Sequence, residues 1–375
     1  MTVHAEQSGK SRKRIPSVVY AVCVIAVLLA VNAALDRCLS LGLAFYNGYY
    51  EDILLRAGIF VILAVSLNLV NGFTGQFSLG HAGLFGLGAY AGAMMSTYAQ
   101  ATFLSRLAPA GATLTWLSGG VLMLLSMLAG GLVAAAAGWL VGLPSLKLRG
   151  DYLAIVTLGF NQIIVVILNS TDAVGGTRGF DALSYHGQSI SIPSIASFFW
   201  VYLIAAAVIA LSLNLRNSVQ GLAFLSIRED EVAAEAMGVP TTRVKVTAFV
   251  VAAFFAGVAG ALFATEQGYI KPDNFNFVTS ITPVMIVVMV VLGGMGSVTG
   301  TAISAVLLIV VPECLHAIDQ YRLVIYSLLL IMLMLLRPQG IFGHEELGMS
   351  WLGNQWSALR ALPTRLAGRE NRRGA

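Results

Sequence analysis

The stretch VTAFVVAAFFAGVAGALFAT, residues 246–265, decides the fold. Its 20 residues carry no charge. As a helix that length reaches about 30 Å, the thickness of a bilayer's hydrocarbon core. Ala253, Gly257 and Ala261 recur every four positions, which places small residues on one face and lets a second helix approach closely in lipid. Immediately upstream, IREDEVAAEAMGVP (227–240) puts five charged residues among the eight from Arg228 to Glu235. A run like that must face water or a partner. A membrane-crossing helix therefore emerges at a charged segment.

Composition extends this reading to the whole chain. Of 375 residues, 57% are hydrophobic and 11% charged, with a mean hydropathy of +0.81. Soluble domains carry roughly a quarter charged residues. In lipid every backbone polar group must be satisfied internally, so helices or a closed barrel are the options. The apolar runs are far longer than barrel strands of about ten alternating residues. The fold class is all-α, a polytopic helical membrane protein.

Charge-free stretches serve as a ruler for the spans. Ile15–Leu35 gives one, Ala57–Ser105 two, and Leu107–Leu146 one at about 121–143. Tyr152–Thr171 gives one, Ala182–Leu215 one at about 198–215, and Val246–Thr265 one. Asn274–Pro312 gives two, broken at Gly293-Gly294-Met295-Gly296, and Leu323–Leu336 a last short one, for about ten in all. The first run, behind a basic stretch from Lys10 to Arg14, is longer than a signal peptide's apolar core of about 7–15 residues and is read as a retained helix. With ten alternating spans, 16 of the 22 lysines and arginines fall on the side of the N-terminus and 6 on the other. The positive-inside rule then makes both termini, and the segment 216–245, cytoplasmic. The division is a basic tail at 1–14, a transmembrane domain at 15–343 and a second cytoplasmic tail at 344–375. Gly130, Ala134, Gly138 and Gly142, and Gly88 and Gly92, repeat the small-residue spacing and predict a tight bundle.

Several function classes are excluded by what the chain lacks. Cys23, Cys38 and Cys314 lie far apart and share no motif, so neither a disulfide framework nor a metal site is expected. The only P-loop look-alike, Gly9-Lys10-Ser11, has His4 where the first glycine belongs and precedes a span rather than following a strand. No catalytic constellation is present and no cofactor is expected in this chain. His81 is the one titratable side chain well inside a span, and no Asp or Glu falls at a span centre, which argues against proton coupling. The histidine reads more simply as a helix–helix hydrogen bond.

Arg228 to Met237 contains good helix formers and no glycine or proline, and Gly238 and Pro240 stop it. The spacing predicts one short helix, with Val232, Ala233, Ala236 and Met237 as a small apolar stripe. A rigid cytoplasmic helix between two spans suits docking into a groove on a partner.

The chain resembles the permease subunits of the branched-chain amino acid ABC importers, the Liv type, and among them the LivM-like branch. The stretches that carry the resemblance are LNLVNGFTGQFSLGHAGLFGLGAY (67–90), LKLRGDYLAIVTLGF (146–160), IREDEVAAEAMGV (227–239), AFFAGVAGAL (253–262), VVLGGMGSVTG (290–300) and LLRPQGIFG (335–343). They follow the family's order from about residue 53 to 343. The resemblance implies a type II-like importer bundle in the bacterial inner membrane. Its implied partners are a second LivH-like permease, two cytoplasmic ATPases that hydrolyse the ATP, and a periplasmic binding protein, with lipid around it and no nucleic acid. It gives the ATPase-coupling role to Arg228, Glu229, Asp230, Glu231, Ala233, Ala234, Glu235 and Gly238. The general EAAxxxG pattern is altered here: Val232 stands in place of its first glutamate, and Glu231 lies one position earlier.

The densest polar groups inside spans are Asn68, Asn71, Thr74, Gln76, Ser78 and His81, set among glycines that permit irregular backbone beside a cavity. With Asn161 and Gln162 they are the candidate pathway lining. Lys147 to Asp151 is a second stretch expected near the coupling surface. VGGTRGF (174–180) is expected on the periplasmic side, toward a binding protein. The alternatives are a urea or short-chain amide permease of the same family and, from another class, a self-sufficient secondary transporter or channel.

Overall fold

The computed structural model describes residues 48–107, 116–146, 150–185 and 188–314, with short pieces at 28–31 and between 324 and 340. Both tails, Lys147–Arg149 and most of the first expected span and of 323–336 lie outside these residues.

The described helices are α1 (Gly48–Asn68), α2 (His81–Leu107), α3 (Trp116–Ser145), α4 (Asp151–Ser170) and α5 (Phe198–Arg216). They continue with α6 (Val219–Glu229), α7 (Glu231–Ala236), α8 (Thr241–Gln267), α9 (Thr282–Gly293) and α10 (Val298–Cys314). The helical, multi-pass reading holds. The expected count of ten spans is not reached within the described residues: five helices are long and apolar enough to cross a membrane, and α9 and α10 are shorter apolar helices. A two-stranded antiparallel hairpin, Ala182–Tyr185 with Gln188–Ser191, interrupts the all-α pattern in the polar loop before α5.

Most boundaries fall where charge and glycine put them. Two are exceptions: α1 starts nine residues before its charge-free run, with Glu51, Asp52 and Arg56 inside it, and α8 starts five residues before its own. Arg243 and Lys245 lie inside its first turns, and a charge-free ruler misses helix that carries charge.

The bundle is organised around α1 and α8. Four-fifths of the apolar window of α1 is buried, against about a quarter for α4 and α5, which lie at the edge. α8 packs on α2 and α3, and the three cross at glycines. A Cβ on Gly257 would overlap the carbonyl oxygen of Gly130, and one on Gly88 would overlap Gly257 itself. A Cβ on Gly130 would come within 2.7 Å of the Gly88 carbonyl oxygen. The small-residue stripes on the three helices thus meet at one point, backbone on backbone. Leu128, Leu132 and Leu140 on α3, and Ile155, Ile163 and Val166 on α4, point outward and are exposed. In a chain of this composition those faces belong against lipid or another membrane helix.

Candidate coupling and pathway site

The charged segment folds as two helices, not one. Arg228 and Glu229 close α6, Asp230 is extended (φ −156°, ψ 110°), and α7 restarts at Glu231. The expected single helix from Arg228 to Met237 is therefore corrected to two pieces. The cause is Asp230: its Oδ1 accepts the N–H groups of Val232 at 2.9 Å and Ala233 at 3.1 Å and so caps α7. An aspartate side chain that competes for backbone donors favours a helix start over a helix interior. The stop is as expected. Gly238 sits at φ +87°, its N–H bonds the Glu235 carbonyl at 3.0 Å, and the Val239 N–H reaches Ala234, also at 3.0 Å. This is the paired closure of a Schellman turn.

Within this segment Glu229, Asp230, Ala233, Glu235 and Gly238 are exposed, as is the expected apolar stripe with Val232 and Met237 at its ends. Ala234 is buried. Glu231 pairs with Lys245 of α8 at 2.6 Å, and the lysine side chain is only 1% exposed. Arg228 turns inward, and its Nη1 donates to the Gly72 carbonyl at 3.0 Å.

Gly72 belongs to a break in the bundle. α1 runs into a π-helical turn, Leu69–Phe73, and then irregular chain before α2 starts at His81. A second break, Gly294–Ser297, separates α9 from α10. Asn68 joins the two breaks. Its Nδ2 donates to the Ser297 carbonyl at 3.1 Å and its Oδ1 accepts the Gly296 N–H at 2.9 Å. Glycine is required on both sides of this contact. A Cβ on Gly72 would overlap Asn68 and the Gly296 amide, and Gly296 lies at φ +93°. Gly340, from the LLRPQGIFG stretch, lies against Gly294 in the same junction.

The other polar candidates brace the first break from within. Asn71 Oδ1 accepts the Ser78 N–H at 3.1 Å, Thr74 Oγ1 donates to the Val70 carbonyl at 2.8 Å, and Gln76 Nε2 reaches the Thr74 carbonyl at 3.3 Å. His81 Nε2 meets Ser66 Oγ of α1 at 2.8 Å, the helix–helix hydrogen bond expected of it. Asn68, Asn71, Thr74, Ser78 and His81 are all buried, whereas Gln76 is half-buried. Asn161 and Gln162 lie on α4. Asn161 Nδ2 donates to the Phe275 carbonyl at 3.3 Å and Gln162 Nε2 to Asn276 Oδ1 at 3.2 Å, which ties α4 to the turn Pro272–Phe275. That turn reaches deep into the bundle: Phe275 packs edge-on against Phe85 with ring centroids 5.3 Å apart. Three buried polar atoms here have no hydrogen-bond partner among the described residues: Asn71 Nδ2, Ser78 Oγ and Asn161 Oδ1.

Some residues of this site escape sequence reading. Thr157 Oγ1 accepts the Leu79 N–H at 3.1 Å and fastens the break to α4, but a threonine inside a span gives no signal. Lys245 counted only as a vote for sidedness, yet its position beside a cluster of acids hinted at the pair. The loop at 174–180 bridges to the turn after α8 through Phe180 and Ile270.

The two helical breaks are thus clasped to each other by Asn68, and Arg228 of the charged segment bonds the first of them. The family model described as branched-chain amino acid transport system, permease component, matches residues 49–336. The chain belongs to this family. It is 36% identical over 316 residues to the high-affinity branched-chain amino acid transport system permease protein LivM of Salmonella typhimurium, covering 77% of this chain and 69% of that protein. The LivM of Escherichia coli is 35% identical over the same extent. The LivH permease of Salmonella typhimurium is 25% identical over 300 residues, 76% of this chain and 92% of LivH. No solved structure gives a significant match. The family is one of transport permeases, not of enzymes.

Proposed function

We propose that this chain is one permease subunit of an ATP-driven ABC importer and forms half of the pathway for leucine, isoleucine and valine. The observation that carries the reading is the exposed α6–α7 pair. It presents Val232 and Met237 beside Glu229 and Glu235, while its inner face grips the bundle through Arg228 and Glu231. A channel or self-sufficient transporter has no use for a docking surface wired inward in this way. The partners are a second, LivH-like permease, two cytoplasmic ATPases that supply ATP hydrolysis, and a periplasmic binding protein. The similarity to both LivM and LivH supports a pathway built from two related halves. The location is the bacterial inner membrane with both termini cytoplasmic, and the charge asymmetry supports that orientation.

On this reading Glu229, Asp230, Ala233, Glu235 and Gly238 meet the ATPase, whereas Arg228, Glu231 and Ala234 hold the helix pair in place. The neutral groups of the break suit a zwitterion. Asn71 Nδ2 can donate to a carboxylate, and Asn161 Oδ1 can accept from an ammonium group. Gln76 and Gln162, both half-buried, complete the lining. The test is labelled leucine uptake in cells with and without this chain, with excess unlabelled valine or urea as competitor. Uptake that needs the chain and is blocked by valine alone supports the proposal. Normal leucine uptake without the chain, together with lost urea or amide uptake, moves the substrate to that class.

A further inference from the structure

Beside the buried side chains of Phe224, Ile227 and Ala234, two polar contacts attach the coupling segment to the bundle, and they fasten different things. Glu231 holds α7 to α8 through Lys245 at 2.6 Å. Arg228 holds α6 to the α1–α2 break, and its guanidinium also lies against the second break: a Cβ on Gly296 would come within 2.6 Å of Arg228 Nη1. Gly75, at φ +67°, lies against the backbone and side-chain stem of the same arginine, with 3.1 Å from its would-be Cβ to Arg228 Cγ. Asn68 already makes the two breaks one body. Between the two attachments lies the extended residue Asp230.

From this we infer that Arg228 is a strut that carries displacement of the coupling helices to both helical breaks at once, with Asp230 as the bend that lets α6 and α7 move separately. The inference rests on the coupling role proposed above and narrows it: Arg228 works inside this subunit and not as a contact with the ATPase. An arginine suits the task because its planar fork can reach a carbonyl and fill the space between glycines together, and its charge never switches off. A charge-assisted bond to a backbone carbonyl is stronger than a neutral one and survives load better.

The experiment uses the complete reconstituted importer with Arg228→Gln. The expected result is normal recovery of the ATPase subunits and basal ATP hydrolysis within about twofold of wild type, with substrate imported per ATP falling about tenfold, the size of one charged hydrogen bond. Uptake per ATP at the wild-type level overturns the strut. Loss of the ATPase subunits from the variant also overturns it, because Arg228 would then be a docking contact. Hydrogen exchange on the wild-type complex gives a check independent of the variant's yield. A nucleotide-trapped complex must change exchange at 68–80 and 293–300 together with 219–236, and a change confined to 219–236 overturns the inference. Failure of the wild-type chain to bind ATPases at all rejects the importer reading, and the strut falls with it, whereas wild-type uptake per ATP in the variant overturns the strut alone.

Discussion

Two junctions hold this bundle together, and they are built by opposite rules. At the crossing of α2, α3 and α8, Gly88, Gly130 and Gly257 bring three backbones into contact with only the methyls of Ala134 and Ala261 beside them. At the meeting of the two breaks, Asn68, Arg228 and a different set of glycines bring backbones together through directed hydrogen bonds. The first junction is mainly dispersion, with one hydrogen bond a turn away from Ser126 Oγ to the Gly92 carbonyl at 2.9 Å. It is stiff because close-packed atoms have nowhere else to go. The second is a short list of polar contacts, each of which can be made or unmade. A transporter needs both, a frame that does not yield and a seam that does.

The largest expected effect follows from the frame. Gly257→Leu places a branched side chain where not even a Cβ fits, and its neighbours are backbone and the Ala134 methyl, neither of which can rotate away. The cost exceeds about 4 kcal/mol, and folded protein should be absent on gel filtration of detergent extracts. A well-folded Gly257→Leu chain would show the crossing to be looser than described and would erase the contrast. The seam should respond more mildly. Asn68→Ala leaves the Gly296 N–H without its side-chain acceptor and removes one donor from the Ser297 carbonyl, which keeps those of Thr301, at a cost of about 1–3 kcal/mol. The chain should still fold, at a lower melting temperature, while transport falls further than stability does. Equal losses in both would make Asn68 a piece of frame.

A third test asks whether the seam extends to α6 and α7. Glu231→Gln leaves the buried Lys245 without its counter-charge, at about 2 kcal/mol once solvent access on the glutamate side is allowed for. Adding Lys245→Met should recover most of that stability, since a buried pair replaced by apolar groups is often neutral. Transport should not recover with it if the pair ties α7 to α8 for coupling. Recovery of both would reduce the pair to packing.

The frame was far more legible in the sequence than the seam, for a physical reason. Spans are local: a charge-free run declares itself within 20 residues, and small residues at every fourth position mark a face whatever they meet. The five helices within 48–314 that are long enough to cross a membrane, the break at Gly293–Gly296 and the glycine stop at Gly238 were readable on those terms. The seam is made by residues far apart in the chain. Asn68 and Ser297, or Arg228 and Gly72, have no pattern that joins them. The polar and glycine density of 68–81 marked the place but not the partners. The bend at Asp230 did carry a local signal, an aspartate directly ahead of a run of helix formers. It was hidden because the same run, without glycine or proline, reads as one continuous helix.

The smallest effect concerns Gly238, where frame and seam arguments compete for one residue. Its φ of +87° closes α7, and nothing lies within 4 Å of where a Cβ would point. If the turn is all that matters, Gly238→Ala costs about 1–2 kcal/mol of backbone strain and frays the end of α7. Gly238→Asn should be milder still, because asparagine tolerates the left-handed region. Both variants would then keep their ATPase subunits, with Asn nearer to wild type than Ala in uptake. A partner surface seated on Gly238 predicts the reverse ranking. The larger asparagine would displace the ATPase more than alanine does, although it suits the turn better. The order of the two variants in a pull-down therefore decides whether Gly238 shapes a helix end or leaves room for another chain.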